Sequence, residues 1–126
     1  MLRKLAATAV VALLLPAFAA DLNGEIVTAG THAQLAAKAS NLGMVHMHLH
    51  HTLNCLVGPK GAGFDAKEMN PCANSGNGAI PDSTDAAKIA KLQDAVKITE
   101  AGLASDNIAV AQEDAASVAA QLMAKK

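Results

Sequence analysis

Residues 31–57 read THAQLAAKASNLGMVHMHLHHTLNCLV, and the fold turns on how this run is cut. Leu35, Leu42, Leu49 and Leu56 recur every seven residues, with Ala39, His46 and Leu53 at the offset positions between them. This is an apolar stripe at helical spacing, so one long His-rich helix is expected over 31–57. Thr31 can cap its start. Gly58-Pro59 ends it, because Gly takes the left-handed turn and Pro cannot extend a helix. Gly43 is the weak point, costing about 1 kcal/mol relative to Ala, and is a candidate break.

Working outward, residues 20–30 form a short lead-in with no structure assigned. Residues 58–82 carry Gly58, Gly61, Gly63, Gly76 and Gly78 with Pro59, Pro71 and Pro81, the composition of a long loop. A loop of this length inside a compact domain is functional, disordered or stapled. Asp82-Ser83-Thr84-Asp85 opens a second helix whose stripe is Ile89, Leu92, Val96 and Leu103, with Gly102 as the expected C-terminal cap. Ser105-Asp106-Asn107 restarts a third, with Ile108, Ala111, Ala115, Val118 and Leu122 facing inward. So short a link implies an antiparallel hairpin over 83–124. The expectation is therefore all-α: a small bundle of three main helices, one domain over 20–126, with a stapled Gly/Pro-rich loop.

Residues 1–19 read as an export signal. Arg3 and Lys4 precede an apolar run over 5–15, Pro16 ends it, and Ala17-Phe18-Ala19 has the small-x-small pattern of a cleavage site. The run is about 16 Å long as helix, too short for a bilayer core of about 30 Å. Cleavage after Ala19 removes two positive charges from a chain whose formal net charge is −1. The mature protein is then mildly acidic, periplasmic or secreted, and free of the membrane. A phosphate-binding surface needs a basic excess that this chain lacks, and with no Trp, no Tyr and two Phe there are no stacking platforms for bases. Nucleic acid is thus excluded as a partner.

Cys55 and Cys72 are the only cysteines. On an exported chain they are expected to pair, closing a loop worth about 3 kcal/mol of chain entropy and pinning the loop beside the histidines. Cys-x-x-Cys-His, the covalent haem motif, is absent.

The chemistry concentrates in Met44-Val45-His46-Met47-His48-Leu49-His50-His51, which holds four of the five histidines and two methionines. Imidazole serves copper, zinc and nickel, and thioether is a soft donor for reduced copper, so the mixture favours copper with zinc or nickel as alternatives. Helical spacing pairs Met44 with His48, His46 with His50 and Met47 with His51. His46 and His50 fall on the edge of the leucine stripe and are the firmest pair expected. Met44, Met47, His48 and His51 lie on the opposite, outward arc. His32 lies about 27 Å up a continuous helix, so it joins a site only if the helix breaks or another copy supplies it. In a strand, His46, His48 and His50 would instead line one face, though the leucine heptads favour helix.

The function expected is a small exported metal-binding protein that sequesters, buffers or delivers copper. The alternative is a metal-free structural or interaction module, self-associating or docking a periplasmic protein. Haem needs bulky apolar walls that an Ala-rich chain does not supply. No phosphate loop or nucleophile elbow is present, so no catalytic residue is assigned. In composition, residues 44–51 make the chain resemble small exported His-rich helical metal-binding proteins, a likeness that carries no residue roles.

Overall fold

The computed structural model describes residues 19–125, so the expected leader lies outside the described residues except for Ala19. The fold is all-α, with α1 Leu22–Lys38, α2 Leu42–Val57, α3 Ala79–Asp82, α4 Ala86–Ala104 and α5 Ile108–Met123. The long helices form a bundle in which α1, α2, α4 and α5 are neighbours in that cyclic order. Across the diagonals α2 and α5 also touch, whereas α1 and α4 do not. No helix among the described residues is long and apolar enough to cross a membrane.

The helix expected over 31–57 is two helices, and α1 begins inside the lead-in. Asp21 starts α1 by accepting the Gly24 N–H at 2.8 Å. The chain then leaves the helical conformation at Ala39, with ψ at 143°. It restarts at Asn41, whose side chain accepts the Met44 N–H at 2.9 Å. The break thus falls just before Gly43. An Asn side chain satisfies an orphan N–H of a helix start, which a glycine cannot do. The leucine heptad does not survive the turn: Leu49 is fully buried on α2, while Leu35 on α1 is 44% exposed. The inner face of α1 is instead Ala29, Ala33 and Ala36, all fully buried.

These small residues let the helices approach closely, as does Gly30, where a Cβ would come within 2.6 Å of the Met123 side chain on α5. The core has two parts. Leu53, Leu56, Leu92 and Val118 pack at the disulfide end. Val45 and Leu49 pack with Ala36, Ala111 and Ala115 at the other. The hairpin of α4 and α5 forms as the sequence implies, with Asp85 and Asn107 as its caps. Gly102, however, lies buried within α4, and the helix continues to Ala104.

The long segment after α2 is fixed in place. Cys55 and Cys72 are disulfide-bonded, with their Cα atoms 5.2 Å apart. The residue before Cys55, the fully buried Asn54, substitutes for secondary structure. Its amide donates to Asp65 O at 3.0 Å and Met69 O at 3.1 Å, and its carbonyl accepts the Asp65 N–H at 2.9 Å. Gly58, at φ 72°, turns α2 into this segment against Asn77 O, where any Cβ would collide. The last turn of the segment is α3.

Candidate metal centre

Folding α1 back along α2 brings His32 beside the arc that the sequence left facing outward. His32 on α1 meets His48 and His51, which are three residues apart on one face of α2. The three ring centroids form a near-regular triangle with sides of 5.5, 5.0 and 5.7 Å. His32 Nδ1 lies 3.2 Å from His48 Nδ1. One ligand nitrogen from each ring lies within 4.8 Å of the others. Tetrahedral metal–imidazole bonds of about 2.05 Å place ligand nitrogens about 3.3 Å apart. The first pair already has that spacing, and the His51 nitrogen, within 4.8 Å of both, would have to draw inward to match it. The break in the helix is thus what admits His32 to the cluster.

The two helices are joined beneath the rings. The Thr52 hydroxyl, one turn below His48, lies 3.1 Å from both Ala29 O on α1 and His48 O on its own helix. It ties the two backbones together three residues from His32. Ala29 and Ala33 flank His32 with no bulk to hold the helices apart.

His51 is the deepest ring, 5% exposed. Its Nε2 faces Glu68 Oε2 at 3.6 Å, a contact with the loop that Asn54 and the disulfide hold. Its Nδ1 is buried and has no hydrogen-bond partner. An orphan of this kind costs about 1–3 kcal/mol if nothing meets it. A carboxylate behind one nitrogen and a free lone pair on the other is how proteins orient a metal-binding imidazole.

The surroundings of His32 and His51 favour their neutral forms. Burial, followed by the neighbouring rings of His51 and His48, pushes the His32 pKa down to about 4. Burial also lowers that of His51, assisted by His48 and opposed by Glu68. Neutral imidazole is the form that binds metal, and at neutral pH His32 is already in it.

The other residues singled out by sequence go elsewhere. His46 donates its Nε2 hydrogen to Ser105 O at 3.0 Å, tying α2 to the end of α4. His50 Nδ1 lies 3.7 Å from Asp65 Oδ2. Met44 is 42% exposed and Met47 is half-buried. Among the described residues, only His32, His48 and His51 form a group of three or more candidate ligands drawn from His, Cys, Asp and Glu. Glu68, Thr52 and Asn54 were not signalled by the pattern. The available signal for His32 was Ser40-Asn41, two residues with helix-capping side chains placed between two helical runs.

The chain matches no protein-family model, no curated protein and no solved structure.

Proposed function

We propose that this is an exported metal-handling protein whose ion sits between α1 and α2 on His32, His48 and His51. Copper is the proposed cargo, to be sequestered, buffered or handed on. The observation that carries this reading is the convergence of three imidazoles, one of which, His51, has a buried nitrogen with no hydrogen-bond partner. Divalent affinity at nitrogen sites rises from nickel to copper and falls again at zinc, which supports copper. Met44 and Met47, on the same stretch of α2, add soft donors for reduced copper if the surface exchanges ions with the centre. Three protein ligands leave a fourth position open, and His32 and His48 are only half-buried. Such a centre suits exchange better than permanent storage. Export rests on the leader pattern of residues 1–19. The reading is of a binder and not a catalyst, since the carboxylate nearest the centre, Glu68, is engaged with a ligand ring.

Calorimetric titration of the chain over 20–126 with Cu(II), Zn(II) and Ni(II) tests it. One ion per chain is expected, with copper bound tightest. Binding no tighter than that of the denatured chain, or unaffected by His51→Gln, overturns it.

A further inference from the structure

A second polar cluster lies at the other end of α1. Glu25, in its first turn, is fully buried. Its Oε1 accepts the Gly78 N–H at 2.8 Å, while Oε2 is buried with no hydrogen-bond partner. The carboxylate of Asp82, on α3, faces it. Asp82 accepts from Asn77 twice, from the backbone at 2.7 Å and from the side chain at 3.2 Å. Asp82 is partly exposed, but the buried Glu25 carboxylate facing it needs a proton or a cation between the two acceptors. Burial, then Asp82 and Asp21, raises the pKa of Glu25 against the one lowering influence of the Gly78 N–H. No lysine or arginine pairs with either carboxylate among the described residues.

The start of the described chain lies in the same small volume. A Cβ placed on Gly76 would overlap Asp82 Oδ2, lie 2.7 Å from Glu25 Oε1 and lie 3.1 Å from Ala20 Cβ. Glycine at 76 therefore leaves open the space that Ala20 shares with both carboxylates. The next residue is anchored: Asp21 donates its N–H to Ser75 O at 2.6 Å. Asp21 is itself occupied in capping α1, so its carboxylate adds negative potential without filling the gap.

We propose that the Glu25–Asp82 pair is the seat of the α-ammonium that cleavage after Ala19 creates on Ala20. Hydrolysis breaks the Ala19–Ala20 amide bond. Water supplies OH to the Ala19 carbonyl and H to the Ala20 nitrogen, and that amine takes a further proton from solvent. The uncut chain has at this point one neutral N–H. The cut chain has a cation with three donors, able to meet Glu25 Oε2 and the Asp82 carboxylate together. Removal of the leader then tightens the end of α1 against α3, remote from the histidines. The inference rests on the export reading, and its two premises fail separately.

The experiment compares a chain whose first residue is Ala20 with one carrying an extra serine before Ala20, each also as Glu25→Gln and as Asp82→Asn. The expected result is an α-amino pKa at least one unit above the usual value of about 7.7–8.0 in the Ala20 chain only. That chain should also melt a few degrees higher than the extended one, with the difference abolished by either substitution. An unshifted amine, equal melting of the two chains, or calcium raising the melting point regardless of the first residue overturns the seat. Mass analysis of the exported protein that finds a first residue other than Ala20 overturns the cleavage premise alone.

Discussion

Both long hairpins turn through three residues, 39–41 in one and 105–107 in the other, and both restart on an asparagine side chain. Their seams differ. To the core α4 and α5 bring Ala95, Ala111, Ala115 and Val118, small apolar groups that fill space and carry no polar atoms. Between α1 and α2 the same kind of close approach is spent on His32, His48, His51 and Thr52. A helical pair held together by alanine has room for imidazoles at its seam only where the rings replace apolar contacts. The α1–α2 pair carries desolvated nitrogens that weaken it unless an ion or proton meets them, while α4–α5 supplies uncomplicated burial. One hairpin is scaffold and the other carries the candidate centre.

This division can be broken at several points. Replacing His32, His48 and His51 together by Gln should cut Cu(II) affinity by more than roughly 100-fold, beyond the usual loss from an outer partner alone. The double variant His46→Gln with His50→Gln should leave it nearly unchanged; titration calorimetry reads both, and the reverse ranking would move the centre to the other arc. Replacing Cys55 and Cys72 by Ser should lower unfolding stability by about 3 kcal/mol in denaturant titration. Hydrogen exchange should then rise first in residues 58–78 and last in α4 and α5. Glu68→Gln should weaken metal binding by about 10–100-fold with the fold intact, because only the orientation and basicity of His51 change.

A pH series sharpens the contrast further. His32 titrates near 4 in the folded chain and near 6.5 when unfolded. Between those values the unfolded chain binds more protons, so metal-free stability falls as pH drops through that window. Glu25, whose pKa is raised by burial, works in the opposite sense above the ordinary carboxylate value of 4.5. The readout is therefore the difference between the parent and His32→Gln, which should lose stability less steeply on acidification. The smallest effect separates two buried threonines. Thr52→Val breaks a bond to the neighbouring helix and should cost about 1 kcal/mol. Thr99 bonds only Ala95 O in its own helix, at 2.8 Å, so Thr99→Val should cost less than about 0.5 kcal/mol.

Much of this was legible in the chain. The caps of α4 and α5, the inward face of α5 and the Cys55–Cys72 pairing follow from local chemistry, and local chemistry is what a sequence displays; on α4 only Leu92 of the expected stripe is buried, beside Ala95, Thr99 and Gly102. The richness in histidine was equally plain. What the pattern concealed was the turn at 39–41, because the leucine heptad and the alanine-rich flanks run straight through it. Gly43 offered a more conspicuous break than Asn41. With the turn misplaced, His32 was distant and the arc bearing His48 and His51 faced solvent. Glu68 and Asn54 were invisible for another reason: their contacts join a loop to a helix across a gap that no period describes. The start of α1 was overlooked although Asp21, Leu22, Ile26, Ala29 and Ala33 carry its cap and stripe.

The bond between Cys55 and Cys72 also bears on which metals the proposed centre would select. These are the chain's only sulfhydryl groups, and both are consumed in the crosslink. Before oxidation they would outcompete nitrogen donors for thiophilic ions; afterwards the competition is closed. On the proposed reading, oxidation has to precede loading, because a reduced chain offers copper its sulfurs while the loop that bears Glu68 is still unfastened.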